Sequence, residues 1–479
     1  MLFNSLQFLV FFPIVFVVYW LLNNRHLRLQ NLFLLAVSYY FYACWDWRFL
    51  FLLVFSTLLD YFTGLQMERV GNPAKRRFWF WLSVVINLGF LGVFKYYNFF
   101  VGSFAGLLGA WGFQAHFPTL EVILPVGISF YTFHGLSYVI DIYKGKIRAE
   151  RNFVDYSLFV SYFPLLVAGP IERATHLLPQ LKVPRVFNAT HAISGLELMI
   201  WGFFKKVVIA DNMAQMVNRV YADASSYDAY SLVLAALAFS FQIYCDFSGY
   251  SDIAIGSSRI LGIDLLKNFD FPYLSRNIAE FWRRWHISLS SWFRDYVYIP
   301  LGGSKGTRLL SIRNVFIIFL VSGFWHGANW TFIAWGGIHA LLFIPSFVFA
   351  SNRKFNQDLV HAGKRLPALS DFFHIAVTFS LVTLAWIFFR AESLPAAFSF
   401  IKGIVTNHTG KRFHFESAEL LGYALVFPVF FLLSLYRLYV KNKLYTPRVA
   451  VQFVLSLFLL ILITLFGQFS EQSFIYFQF

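Results

Sequence analysis

Long apolar runs separated by short basic segments set the pattern of this chain from end to end. Runs at about 6–22, 32–45, 49–66, 78–94, 122–142, 153–170, 193–210, 230–248, 315–335, 372–389, 420–440 and 448–467 each approach the roughly 20 residues with which a helix crosses a bilayer. The run at 153–170 and the region 98–113 are short or broken by Gly and Pro, and irregular backbone is tolerated at membrane depth only where protein surrounds it. These two read as re-entrant or interfacial, which leaves about 10–12 crossings. The pattern predicts an all-α polytopic membrane protein, with one membrane domain over 1–467 and an aromatic tail over 468–479. The first run, Leu6 to Leu22, has no basic segment before it and no small-residue cleavage site after it, so it reads as a retained span.

The basic segments orient the spans. Arg25 and Arg28; Arg69, Lys75, Arg76 and Arg77; Lys144, Lys146, Arg148 and Arg151; Arg353, Lys354, Lys364 and Arg365; and Lys441, Lys443 and Arg448 all fall on the cytoplasmic side if the N-terminus starts outside and 98–113 does not cross. The C-terminal tail then also ends outside.

The stretch Phe281 to Trp335 departs from this plain alternation. In FWRRWHISLSSWFRDYVYIPLGGS (281–304), helical spacing puts Trp282, Trp285, Leu289, Trp292, Phe293 and Tyr296 on one face. Arg283, Arg284, Ser288, Ser290, Ser291, Arg294 and Asp295 take most of the other, as in a helix lying in a membrane interface. His286 falls at the edge of the apolar face. His326, in GFWHGANWTFIAWGG (323–337), follows the apolar run Val315 to Trp325 and is expected within the membrane.

Composition sharpens this reading. The chain has 479 residues, 58% hydrophobic, 21% aromatic and 13% charged, far from the roughly 25% charged content of soluble domains. Its net charge of +15 sits in the short loops, where positive-inside topology accounts for it, and no nucleic-acid-binding module accompanies it. Cys44 and Cys245 stand in apolar surroundings without metal-ligand or CxxC spacing, so neither a disulfide framework nor a metal site is predicted. There is also no GxSxG elbow, P-loop or dinucleotide fingerprint.

Titratable groups inside an apolar chain are costly and point to function. A lone buried histidine can equally well tie two helices together through a backbone carbonyl. His326 differs in its company: Gly323, Gly327, Gly336 and Gly337 permit close approach, and Trp325, Asn329, Trp330 and Trp335 surround it. A neutral imidazole there can take a proton from a hydroxyl. His286 reads either as the boundary residue of an amphipathic helix or as a second group of the site, with Arg283, Arg284, Arg294 and Lys305 as phosphate contacts at a cytoplasmic mouth. In DFSGYSDIAIG (246–256), Asp246, Ser248, Ser251 and Asp252 either cap a helix, pair with the arginines of 283–294, or hold a cation. VAGPIER (167–173) breaks a span and leaves Glu172 and Arg173 as a local pair. FIYFQF (474–479) reads as an interface anchor, or as a tail whose Tyr476 hydroxyl reaches back to accept an acyl group.

Taken together, FWRRWHISLSSWFRDYVYIPLGGS, GFWHGANWTF, ILPVGISFYTF (123–133), AGPIER, DFSGYSDIAIG and the FIYFQF ending closely resemble the membrane-bound O-acyltransferase family, in its branch of bacterial polysaccharide O-acetylation proteins. The resemblance implies a ring of membrane helices around a thinned centre, with re-entrant and interfacial helices. It also implies a cytoplasmic funnel for acetyl-CoA as acyl donor, with no bound cofactor, and transfer to an esterase-fold partner enzyme that acetylates an extracytoplasmic polysaccharide. The acceptor is then alginate, cellulose, peptidoglycan or another exopolysaccharide, and the location the bacterial inner membrane. His326 matches the family's catalytic histidine, His286 the second histidine, and Tyr476 a relay tyrosine that a related D-alanylation system carries on a small separate protein. An N–H or Asn329 is the expected support for the tetrahedral oxyanion. D-alanyl transfer and a non-enzymatic transporter or channel are the alternatives.

Overall fold

The computed structural model describes residues 1–22, 26–114, 117–120, 123–167, 169–349, 368–415, 417–441, 449–469 and 474–475. Among them the regular structure is helical, apart from one isolated bridge between Tyr227 and Lys411. The chain forms two compact units, Met1–Leu196 with Ala254–Leu266, and Glu197–Ile253 with Lys267–Gln478.

The first unit is built from α1 (Leu6–Leu22), α2 (Leu27–Ala43), α3 (Trp47–Arg69), α4 (Pro73–Ala110), α5 (Ile128–Tyr143), α6 (Phe153–Ser161) and α7 (Ala174–Leu181). Asn72 starts α4 by accepting the Ala74 N–H at 2.8 Å, with Pro73 at the first helical position, where its missing N–H costs nothing. This helix runs on through 98–110, 38 residues in all, so that region continues the run before it. Among the described residues a Cβ at Gly102, Gly106 or Gly109 would meet nothing within 4 Å, and the π-helical turn Gly92–Tyr96 widens the helix without ending it.

The 122–142 run, in contrast, becomes helical only from Ile128, because Gly127 before it takes a φ of +75°. A side chain at Gly127 would also lie 2.0 Å from the Leu166 carbonyl oxygen. The 153–170 run breaks at Tyr162 into α6 and the single turn Phe163–Leu166, the interruption its composition predicts. Glu172 is buried; it bonds His176 Nδ1 at 2.8 Å and accepts the Leu266 N–H at 2.6 Å.

Further along lie α8 (Ala189–Phe203), a π-helical stretch Phe204–Ala210, α9 (Asp211–Ala222), α10 (Ala229–Ile260), α11 (Ile278–Arg284) and α12 (Ile287–Phe293). The last elements are α13 (Arg308–His326), α14 (Trp330–Val348), α15 (Leu369–Arg390), α16 (Leu394–Thr406), α17 (Ser417–Lys441) and α18 (Val449–Phe466). Eight helices among the described residues are long and apolar enough to cross a membrane, fewer than the apolar runs suggest. Runs such as 6–22 and 122–142 give helices of 17 and 16 residues, short of the usual length.

In the second unit Gly202 and Gly249 bring α8 and α10 into backbone contact, since a Cβ at either would stand 2.6 or 2.7 Å from the other's carbonyl oxygen. That approach decides the fate of the acids at 246–252. Asp246, Ser248, Ser251 and Asp252 lie within the 32-residue α10, and neither cap a helix start nor meet the arginines of 283–294. Lys206 Nζ lies 2.6 Å from Asp246 and 2.7 Å from Asp211, while Lys205 Nζ lies 2.8 Å from both Asp252 and Ser248 Oγ. Both lysines are buried. Pairing a charge is what makes its burial tolerable.

Candidate active site

The interfacial helix expected over 281–304 is interrupted. α11 stops at Arg284, Trp285 is extended, and His286 adopts the left-handed conformation with φ 43° and ψ 56° before α12 begins. Only two described non-glycine residues have positive φ, and such a backbone costs roughly 1–3 kcal/mol that surrounding structure must offset. Asn268 provides the hold: its carbonyl accepts the Ile287 N–H at 2.9 Å, and its side chain accepts from Ser288 Oγ at 2.6 Å and donates to Ser251 Oγ at 3.1 Å. His286 is consequently not at the edge of an amphipathic face. It is 1% exposed, with its ring edge-on to Phe247 at 4.6 Å and 6.2 Å from Trp325. Neither ring nitrogen has a hydrogen-bond partner among the described residues. Burial pushes its pKa from 6.5 down to about 3, so the imidazole is neutral.

His326 closes α13 and is 3% exposed. It packs against the rings of Trp325 (4.9 Å), Trp335 (5.2 Å) and Phe389 (5.3 Å). Three of the four glycines around it act as read from the sequence, whereas a Cβ on Gly337 would meet only Leu320 at 3.8 Å. A Cβ on Gly323 would meet the Phe332 carbonyl oxygen at 2.2 Å, one on Gly336 the Phe319 carbonyl oxygen at 2.3 Å, and one on Gly327 the Phe332 ring at 2.1 Å. Close packing of α13 on α14 therefore places Trp335 over the imidazole. The two predicted histidines are joined through Trp325, which touches both.

One group, and the donor role of another already named, escaped sequence reasoning. His339, on α14, is fully buried and accepts the Trp282 Nε1–H at Nδ1, 3.2 Å away, with Trp335 at 4.9 Å. Its signal was present as a histidine one helical turn after Trp335 in an apolar run. Trp335 itself is fully buried, and its indole N–H has no partner among the described residues. A buried donor beside a histidine is the kind of group that steadies a developing oxyanion. Asn329, assigned that task from the sequence, is the cap of α14: it accepts the Thr331 N–H at 3.0 Å and donates to the Glu392 carbonyl at 2.9 Å.

The predicted basic contacts separate into two kinds. Arg284 is buried and bonded to Glu280 at 2.7 Å, with Asp270 at 3.7 Å, and Glu280 is shared with Arg276 at 3.2 Å. Its guanidinium holds the 270–284 turn together. Arg283, Arg294 and Lys305 are exposed, with Arg294 bonded to Asp295 at 2.7 Å. Arg294, Ser290, Tyr298 and Ser304 line a cavity of about 280 Å³ together with Trp282 and Ser322, one turn before His326 on α13. Tyr476 lies outside the described residues; Phe474 and Ile475, just before it, are buried.

Residues 147–373 match the model of the membrane-bound O-acyltransferase family. The chain is 39% identical to the probable alginate O-acetylase AlgI of Pseudomonas aeruginosa, over 88% of this chain and 78% of the relative. It is 37% identical to the peptidoglycan O-acetyltransferase of Helicobacter pylori, over 85% and 80%. A match at 30% identity to the teichoic acid D-alanyltransferase of Bacillus subtilis spans 48% of this chain and 60% of that one. The chain belongs to the membrane-bound O-acyltransferase family. It is a multi-pass membrane O-acyltransferase, and the transporter reading is set aside.

Proposed function

We propose that this enzyme takes an acetyl group from acetyl-CoA on the cytoplasmic face of the bacterial inner membrane and delivers it for O-acetylation of an extracytoplasmic polysaccharide. The observation that carries the reading is the packing of His326 against Trp335, whose buried indole N–H has no partner among the described residues. Neutral His326 takes the proton of the accepting hydroxyl as its oxygen attacks the thioester carbonyl. Trp335 steadies the oxyanion, the C–S bond breaks, and the proton passes from the imidazolium to the departing CoA thiolate. The cavity beside Ser322, with Arg294 in its wall and Lys305 nearby in sequence, has the apolar lining and basic side that a pantetheine arm and its phosphates require.

The relatives support acetyl over D-alanyl transfer, since those named as O-acetylases match far more of the chain at higher identity. They are named for alginate and for peptidoglycan, so the acceptor belongs to that wider class. Tyr476, directly after the buried Ile475, is the relay candidate, with an esterase-fold enzyme as the extracytoplasmic partner and both chain termini on that side. The test is the acetyl-ester content of surface polysaccharide in cells carrying wild type, His326→Gln or Tyr476→Phe at matched membrane levels. Loss in both variants supports base and relay; retention in His326→Gln overturns the base assignment.

A further inference from the structure

The C-terminal segment is not a free tail where it is described, and the charged cluster on α10 explains why. Asp246 Oδ2 accepts the backbone N–H of Ile475 at 2.7 Å, while Oδ1 of the same carboxylate lies 2.6 Å from Lys206 Nζ. Phe474 and Ile475 are 1% and 2% exposed. The Phe474 ring packs on Tyr250 at 4.9 Å and on Phe247 at 5.7 Å, and Phe247 is the ring that meets His286 edge-on.

The π-helical stretch that carries Lys206 holds the other end of the same segment. Widening a helix to this geometry displaces its carbonyls from the usual ladder, and Val207 uses its oxygen to accept the Gln468 N–H at 2.9 Å. Asn212 donates to the Phe466 carbonyl at 2.9 Å and accepts from Gln468 Nε2 at 3.2 Å. The chain leaving α18 is thus gripped at 466–468 by the π-helical stretch and α9, and again at 474–475 by α10.

The geometry points to Asp246, oriented by Lys206, as the positioning residue that anchors the C-terminal segment beside the His286 side of the active site. Lys206 can serve because Asp211 and Asp246 share it; a backbone N–H bonded to an ionised carboxylate is among the stronger hydrogen bonds. The inference bears on catalysis only through the relay reading above, since it fixes where the residues preceding Tyr476 sit. The anchor itself is a separate structural claim.

Hydrogen exchange of the purified full-length protein in detergent, followed by mass spectrometry of a peptide covering 470–479, tests it. Asp246→Ala leaves Lys206 paired with Asp211, and it should speed exchange in that peptide roughly ten- to a hundredfold, the loss of one charge-assisted bond. Asp252→Ala, which removes the partner of Lys205 on the same helix, should not change it. Where Asp246→Ala does not fold, Asp246→Asn makes the same comparison with a neutral acceptor and a smaller acceleration. Unchanged exchange in a folded Asp246 variant, or equal acceleration by Asp252→Ala, overturns the anchor. Acetyl-ester content measured alongside separates the two claims: faster exchange with full acetylation upholds the anchor and removes its bearing on transfer, and faster exchange with lost acetylation upholds both the anchor and that bearing, the relay itself resting on Tyr476→Phe.

Discussion

His134 in the first unit and His286 in the second are both fully buried histidines in aromatic surroundings, yet their hydrogen bonding differs completely. His134 Nε2 accepts the Glu172 N–H at 3.2 Å, which leaves Nδ1 protonated and facing the Val160 carbonyl at 3.5 Å. It ties α5 to the irregular 169–173 segment. His286 has no such partner on either nitrogen among the described residues, and it occupies a strained backbone position. A protein satisfies a buried polar group when its task is structural. It leaves one unsatisfied, and offsets the cost elsewhere, where the partner is a reactant.

The contrast is tested most strongly across the two units. His326→Gln should lower acyl transfer roughly a hundred- to ten-thousandfold with the unfolding midpoint close to wild type. His134→Ala should instead cost about 2–4 kcal/mol of stability through a lost hydrogen bond and a cavity, with activity per folded molecule retained. Detergent-phase unfolding curves beside vesicle acetylation assays separate the two, and equal loss of activity per folded molecule would erase the distinction. Trp335→Phe keeps the ring and removes the N–H, so kcat should fall roughly a hundredfold with little change in KM. Its failure to slow turnover would return the oxyanion role to another donor.

The pH dependence of stability gives a smaller effect. Folding depresses the pKa of His286 by burial, so below pH 6.5 the unfolded chain binds a proton that the folded one does not until pH falls to about 3. Wild type therefore loses roughly 2 kcal/mol by about pH 5 through this group. His286→Asn, which tolerates the left-handed backbone, should lose less between about pH 7 and 5, and parallel unfolding curves would show that the imidazole is already protonated. The smallest effect belongs to His176, whose pKa the Glu172 hydrogen bond raises. That stabilisation is complete below the unfolded pKa and disappears as pH rises through the folded one. With a side chain 39% exposed, His176→Gln should cost under about 1 kcal/mol at mildly acid pH, the gap closing in alkali.

Much of the fold was legible because membrane spans are written locally. A run of apolar residues and a flanking cap such as Asn72 or Thr307 determine a helix with little outside help, since every backbone group must be satisfied within it. That the 153–170 run is interrupted was equally visible, although the break falls at Tyr162 and not at the Gly and Pro of VAGPIER, and the late start of the helix after Gly127 was not read. Also visible were His326, Gly323, Gly327, Gly336, Trp325 and Trp335, which lie within fifteen residues of one another in GFWHGANWTFIAWGG (323–337) and meet through two adjoining helices, whereas Trp330 is exposed. Where spacing alone was trusted, it misled. The wheel drawn over 281–304 required a continuous helix, but the αL turn at His286 is imposed by Asn268 and Ser251, residues that no periodicity connects to it.

The sequence by itself determined that this is an all-helical, multi-pass membrane protein with aromatic-flanked histidines, because length, hydropathy and glycine spacing act over a few turns. Only the tertiary structure decided which polar groups are spent on holding the fold and which have no partner among the described residues. Arg284 proved to lie against Asp270 and Asn329 to donate to the Glu392 carbonyl, Lys206 and Asp246 proved to grip Ile475, and the Trp335 donor has no partner among the described residues. Hydrogen bonds and ion pairs act over about 3–4 Å between residues far apart in the chain, so their partners are set by packing and not by sequence neighbours.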